Sequence, residues 1–328
     1  MTTRRQRRRK SNRSNLMLIG LIVLLLLLLA VVVAIALRIP DGQPPVGPTL
    51  GAVQTDPPTI PPTTPPTDPP TEPPLNGWQE LDGHRYYYIN GIPQTGWQKL
   101  DGQDYYFLSD GRMARGTVKI DGVNHFFSSQ GIPFIVVNPW NYVPKDYTPD
   151  LVTMPKEYGE GQVDRSCYDA MIQMISDCNA AMRAQNINTE AFLVSGYRSI
   201  ERQTNNFNNK INTILQNNPG MSREEATRQA AMVIAVPGTS EHHLGLAADI
   251  IDTQLWSLTE AQADLPAQKW LMENCWRYGF LLRYPKSTTD STGIIYEPWH
   301  YRYLGKALAE EIHHAGLTVE QYLESLSS

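Results

Sequence analysis

The chain has 328 residues and a formal net charge of −5, long enough for two domains with additional segments. That total conceals a split: the first thirteen residues hold seven basic side chains (Arg4, Arg5, Arg7, Arg8, Arg9, Lys10 and Arg13) and no acid, which leaves −12 on everything after them. A basic head on an acidic body excludes the usual nucleic-acid binder, whose positive patch sits on the folded domain, and reads instead as a membrane-topology signal.

Residues 16–37, LMLIGLIVLLLLLLAVVVAIAL, carry no charge. A helix of this length spans roughly 33 Å and can cross a bilayer. With residues 1–15 as a basic cytoplasmic tail, everything after this transmembrane helix is expected outside the cell, held to the cell membrane by a single pass. A cleaved signal peptide competes, because Ala34-Ile35-Ala36 fits a small-x-small cleavage site, but the apolar run exceeds the ~7–15 residues of a signal core. Both readings export the chain. Residues 38–75 form a Pro/Thr-rich linker in which Pro-Pro recurs every four residues through its second half. Proline has no N–H and a fixed φ, so this segment builds neither helix nor sheet and serves as a semi-rigid stalk.

Residues 76–133 contain an internal repeat. GWQELDG starts at Gly77, GWQKLDG at Gly96 and GTVKIDG at Gly116. Each is followed by an aromatic triplet (Tyr86-Tyr87-Tyr88, Tyr105-Tyr106-Phe107, His125-Phe126-Phe127) and a second glycine turn. Asp-Gly favours two-residue hairpin turns and aromatic runs favour strands, so three small hairpins stacked as a short solenoid are expected. The units resemble cell-wall-binding repeats of the choline- and glucan-binding type in the Gly-Trp start, the Asp-Gly turn and the Tyr-Tyr-Phe run. That resemblance implies aromatic surfaces for a cell-wall polymer, with choline one candidate through cation–π attraction, and Trp78, Trp97, Tyr87 and Tyr106 as contacts. Thr117 stands where the third unit would need a tryptophan, so at most one or two complete sites form. The alternative is that these rings only pack the hairpins together.

Residues 134–328 are expected to form one α+β domain, with helices packed on a small antiparallel sheet. Helices are predicted over residues 162–185, 200–215, 223–235, 266–278 and 305–315. In the first of these Met171, Ile175, Cys178 and Met182 share one side. The third starts with a capping box, Ser222 and Glu225. Strands are predicted from Ala191, over residues 246–252 and over 280–284, and residues 296–303 read as extended. The His313-His314 pair falls on the last helix, where it reads as solvated. Cys167 and Cys178 lie roughly 16 Å apart along one helix, too far to bridge to each other. One of them can pair with Cys275, or all three act as small buried hydrophobes. Their spacing suggests neither a zinc finger nor a thiol-redox motif.

The stretch SEHHLGLAADII places His242 seven residues before Asp249. Pro237, Gly238 and Gly245 argue against a continuous helix, and a straight strand would separate the pair by more than ~20 Å. The histidine must therefore sit on a loop folded back over the strand that carries Asp249, with Gly245 permitting the turn. An aspartate among alanine and isoleucine is costly to bury unless it is paired or metal-bound. In EPWHYRY, Glu297 and His300 would face opposite ways on a regular strand; a kink at Pro298-Trp299 aims both into one cavity. Two histidines and one carboxylate with a position left for water make a catalytic zinc set, and a nearby free carboxylate can take the proton of that water.

Ser240-x-His242-x-x-Gly245-x-Ala247-x-Asp249 is similar to the motif of the VanY-type D-alanyl-D-alanine carboxypeptidases, a zinc metallopeptidase family. So are Glu297-Pro298-Trp299-His300, the SGYRS run at 195–199 with Gln203, and Arg283-Tyr284-Pro285. The resemblance covers most of residues 164–305. It implies Zn2+ held by His242, Asp249 and His300, with Glu297 as general base. It also implies that Arg198 steadies an oxyanion, and that Gln203 and Ser240 hold the substrate backbone or terminal carboxylate. His243 occupies a variable position and is expected to pack or hydrogen-bond locally. Arg198 as a structural ion pair and Glu297 as a ligand remain open alternatives. The implied function is removal of the C-terminal D-alanine from peptidoglycan stem peptides outside the cell, with the repeats on a wall polymer and no nucleic-acid partner. An L,D-carboxypeptidase acting on tetrapeptide stems and a catalytically inactive wall-binding adaptor are the competing readings.

Overall fold

The computed structural model of the protein describes residues 74–327. The expected cytoplasmic tail, the transmembrane helix at 16–37 and all but the end of the linker lie outside them. Among the described residues no helix is long and apolar enough to cross a membrane.

Three hairpins come first. Strands β1 (Gly77–Leu81), β2 (His84–Ile89) and β3 (Ile92–Pro93) form one sheet. Strands β4 (Gly96–Leu100) and β5 (Gln103–Phe107) form the second. Strands β6 (Gly116–Ile120), β7 (Val123–Phe127) and β8 (Pro133–Phe134) form the third. Asp82, Asp101 and Asp121 have φ of 52°, 50° and 49°, and the glycine after each is also left-handed, as a type I′ turn requires. These turns set the register that places Trp78 opposite Tyr87, Trp97 opposite Tyr106 and Thr117 opposite Phe126. Successive hairpins meet through their rings: Trp78 lies 5.0 Å from Tyr105, and Trp97 lies 5.8 Å from Phe127.

A mixed helix-and-sheet portion follows. Strands β9 (Leu151–Thr153) and β10 (Gln162–Asp164) pair and lead into α1 (Arg165–Ala184), which Asp164 caps on Ser166 N. Then come β11 (Ala191–Ser195), α2 (Ile200–Asn217), α3 (Arg223–Ala231), β12 (Ala247–Asp252) and α4 (Pro266–Asn274). The chain closes with β13 (Phe280–Leu282), α5 (Thr289–Thr292), β14 (His300–Tyr303), α6 (Lys306–Ala315) and α7 (Val319–Ser325). The main sheet is antiparallel in the order β11-β12-β14-β13. One face is the core: Met171, Met174 and Ile175 of α1 and Leu271 of α4 pack with Ala248, Ile250 and Tyr301 of the sheet. Side chains alternate along a strand, so Asp249 and His300 turn to the other face.

Several elements differ from expectation. The helix predicted over 223–235 stops at Ala231. Val233 and Ile234 N–H both turn back to Ala230 O, and the Gln203 amide donates to Ala235 O at 2.6 Å, which pulls the segment out to wall a cleft. Ser222 caps α3, but Glu225 is taken by Arg228 and Gln229, so the capping box is half made. The helix predicted to Tyr278 becomes a 3-10 turn over Cys275–Tyr278, closed by left-handed Gly279. Helix α7, unforeseen, opens with a complete capping box of Thr318 and Gln321. All three cysteines are free and buried; Cys275 bridges neither of the others. His313 and His314 are exposed, yet both rings pack on Trp276, at 4.9 and 5.0 Å.

Helix α7 joins the hairpins to the mixed portion. Phe126, Val136, Leu308, Tyr322 and Leu323 share an apolar cluster, and Tyr322 Oη accepts a hydrogen bond from Ser129 N at 2.8 Å. The described residues therefore belong to one compact unit. Tyr322→Phe should lower the unfolding free energy by about 1 kcal/mol, read as an earlier urea midpoint. An unmoved midpoint would mean that this contact does not tie the third hairpin down.

Candidate active site

The register of the sheet assembles the centre. Asp249 on β12 lies directly opposite His300 on β14, and opposite Ser195 on β11 after a bulge. Directly opposed residues put their side chains on one face within about 5 Å. His242 arrives from the 3-10 turn Glu241–Leu244, which Gly245 ends at φ 71°. A side chain at Gly245 would also meet Asp164 N at 2.9 Å, so the turn can fold this close only with glycine there.

The ring of His242 donates from Nδ1 to Gly196 O at 2.7 Å, which turns Nε2 to within 3.3 Å of Asp249 Oδ2. His300 Nδ1 lies 3.0 Å from Asp249 Oδ1, and the two imidazole rings stand edge to face, 5.0 Å apart. The ligating atoms offered by His242, Asp249 and His300 all lie within 4.8 Å of one another, and the three residues are buried. Burial pushes His242 down to about 4, so it presents a neutral lone pair. Burial opposes charge on Asp249, but the hydrogen bond and positive charge of His300 favour the ionised form, and the carboxyl lies well below the usual range. His300 is raised to about 9 against its own burial by the carboxylates of Asp249 and Glu241. A neutral imidazole, an ionised carboxylate and a position that favours positive charge fit a divalent ion such as zinc.

Glu297 stands beside this set, its Oε2 3.8 Å from His300 Nδ1. The kink expected at Pro298-Trp299 is a turn closed by His300 N donating to Glu297 O at 3.2 Å. Burial raises the Glu297 carboxyl to about 8. Arg198 donates to Asp249 Oδ2 at 3.2 Å, Ser195 Oγ at 3.0 Å and Gln203 Oε1 at 2.8 Å. Both ends of the Gln203 amide are thus engaged by protein, and its observed part is to hold Arg198 and the 233–236 segment. Ser240 makes no capping bond and lines the same cleft of about 430 Å³ as Arg198, His242, Asp249, Glu297 and His300. His243 is spent locally: Nδ1 donates to Arg198 O and Nε2 accepts from Gly238 N.

The sequence matches the VanY family, described as D-alanyl-D-alanine carboxypeptidase, over residues 161–306, and the choline-binding repeat over residues 94–131. It is 35% identical over 191 residues to the D-alanyl-D-alanine carboxypeptidase of Enterococcus faecalis (strain ATCC 700802 / V583), covering 58% of this chain and 65% of that one. It is 31% identical over 151 residues to the bifunctional D-Ala-D-Ala dipeptidase and D-Ala-D-Ala carboxypeptidase VanXYC of Enterococcus gallinarum, covering 44% of this chain and 73% of the relative. The chain belongs to the VanY D-alanyl-D-alanine carboxypeptidase family. Among solved structures, the LdcB LD-carboxypeptidase matches with a TM-score of 0.51 at 32% identity, over 64% of this chain and 94% of that one.

Sequence reasoning passed over Glu241, which fills an open position in the VanY motif. Its Oε2 faces His300 Nε2 at 3.5 Å, and its Oε1 accepts from Arg283 Nε at 2.8 Å and Arg302 Nη1 at 2.9 Å. Burial works against its charge, but those guanidinium groups hold it well below the ordinary range. Arg283 in turn meets Glu320 of α7, Nη1 to Oε2 at 2.9 Å. The available signal was Arg302 within a strand between two tyrosines, since a buried arginine demands a carboxylate.

The repeat residues form two unequal sets. Trp78 packs on Tyr87 at 5.3 Å, but Arg85 lies over its ring at 4.3 Å. Trp97 packs on Tyr106 at 5.3 Å and His125 at 5.7 Å and remains 46% exposed. The open set is the one around Trp97.

Glu241→Gln keeps the shape and removes the charge. Zinc affinity, read by competition with a chromophoric chelator, should fall roughly 10–100-fold; unchanged affinity would show that Glu241 does not orient His300.

Proposed function

We propose that this chain is a zinc-dependent D,D-carboxypeptidase that removes the C-terminal D-alanine from peptidoglycan stem peptides. The observation that carries the reading is the convergence of His242, Asp249 and His300 on one point, beside Glu297, in a cleft. Zinc held by those three residues would supply Lewis acidity toward the scissile carbonyl and lower the pKa of water. Glu297 takes the proton of the attacking water and returns it to the leaving amine. A carboxyl raised to about 8 by burial suits a group that must both accept and release a proton near neutrality. Arg198, held by Ser195 and Gln203, places a fixed positive charge where the carbonyl oxygen becomes an oxyanion. The uncommitted hydroxyl of Ser240 receives the terminal carboxylate. Trp97, with Tyr106 and His125, is the contact for a wall polymer.

The apolar residues 16–37, with their basic flank, support export and a single-pass anchor, and the proline-rich segment supports a spacer between membrane and enzyme. An L,D-carboxypeptidase is the second reading, favoured by the likeness to LdcB.

Glu297→Gln should leave zinc bound while D-alanine release falls by about 10²–10⁴-fold, measured on a defined pentapeptide; retained release would remove Glu297 as the base. On paired substrates the pentapeptide should release D-alanine and the tetrapeptide should not. The reverse preference would establish the L,D reading. Trp97→Ala should reduce retention on isolated cell walls, and unchanged retention would make the hairpins a spacer.

A further inference from the structure

A second cleft, of about 650 Å³, lies where the third hairpin meets the segment 138–144. Trp140 and Tyr142 line it with 60% and 65% of their surfaces open to water. Exposed rings of this size, gathered in one place, mark a binding surface more often than a packing accident. They are also rigidly presented. Asn138 and Asn141 exchange two backbone hydrogen bonds of 3.0 Å, and Asn138 Oδ1 accepts from Trp140 N at 3.1 Å and Asn141 Nδ2 at 2.8 Å. Asn124 of β7 donates to Asn141 Oδ1 at 3.2 Å, so amide groups from hairpin and segment meet in the lining, to which Lys119 also contributes.

This cleft backs onto the catalytic one. Tyr142 packs so closely on Gly238 that a Cβ there would lie 2.9 Å from its Cδ1, and Val143 N donates to Gly238 O at 2.8 Å. Trp140 stands 3.5 Å from where a Cβ of Gly293 would be, with Pro139 at 2.8 Å. Two residues beyond Gly238 is Ser240, and next to Gly293 is Ile294; both line the catalytic cleft. The loops that carry Gly238 and Gly293 therefore lie between residues of both clefts.

We infer that the Trp140–Tyr142 cleft is a saccharide subsite for the β-linked N-acetylhexosamine glycan that carries the stem peptide. The inference rests on the function proposed above. The C–H faces of pyranose rings stack on exposed indole and phenol rings, and acetamido groups pair with asparagine amides. The stem peptide of a sugar held there starts beside the loops that carry Gly238 and Gly293, whose neighbours Ser240 and Ile294 line the catalytic cleft. The surface selects the glycan-borne substrate over a free peptide by adding contacts remote from the scissile bond.

The test is calorimetric titration of the full-length chain, in detergent, with tetra-N-acetylchitotetraose, a glycan with no peptide. Wild type should bind saturably, Trp140→Ala should weaken binding by about tenfold, and Trp140→Phe, which keeps a ring, should lose only about threefold. The Phe variant and thermal melts of both separate loss of the ring from loss of the fold. Glu297→Gln should bind the oligosaccharide like wild type. Absence of binding by wild type, equal binding by Trp140→Ala, or loss caused by Trp97→Ala in place of Trp140→Ala would overturn the subsite. None of these readouts needs turnover, so failure of wild type to release D-alanine from free pentapeptide strikes the proposed reaction alone.

Discussion

A carboxylate shut away from water, Glu241, is the group around which the catalytic end of this protein is built. One of its oxygens takes two guanidinium groups and the other faces an imidazole. Charges this deep are tolerated only when every partner is in place, and removing one costs about 3–5 kcal/mol. The partners come from separate parts of the chain: Arg302 from β14, Arg283 from just beyond β13, and Glu241 from the turn before β12. Satisfying them clamps the His242 turn onto the strand that carries His300. The metal-like geometry of His242, Asp249 and His300 is a consequence of that clamp together with the sheet register.

The same polar set reaches outward. Arg283 meets Glu320 on α7, Glu320 accepts from Asn138 at 2.9 Å, Asn138 accepts from Asn141, and Asn141 accepts from Asn124 on the third hairpin. Hydrogen bonds thus run without a gap from the junction with the repeats to His300. The path gives the hairpins and the catalytic cleft a fixed mutual setting, which suits an enzyme whose proposed substrate is a side branch on an insoluble polymer. The reactive peptide and its polymer have to be met together.

Much of this was legible in the amino-acid sequence wherever local chemistry decides the outcome. The Asp-Gly turns are readable because only a few residues tolerate left-handed φ at two successive positions, and α1 is readable from its apolar period. The donor set was legible through motif resemblance and through the cost of burying Asp249. What escaped detection depends on distant partners. Helix α3 ends early because Gln203, on another helix, captures Ala235 O. Glu241 looked like any surface glutamate, since its two arginines lie more than forty residues away. Helix α7 is announced by Thr318 and Gln321 at capping-box spacing, but its seven residues are too few to show an amphipathic period of their own.

The most direct test of the central claim is anomalous scattering at the zinc edge from crystals of the zinc-loaded protein. The account predicts one strong peak bounded by His242 Nε2, an oxygen of Asp249 and His300 Nδ1, with Glu297 nearby but outside bonding distance. A peak elsewhere, or none at this centre under saturating zinc, would contradict it.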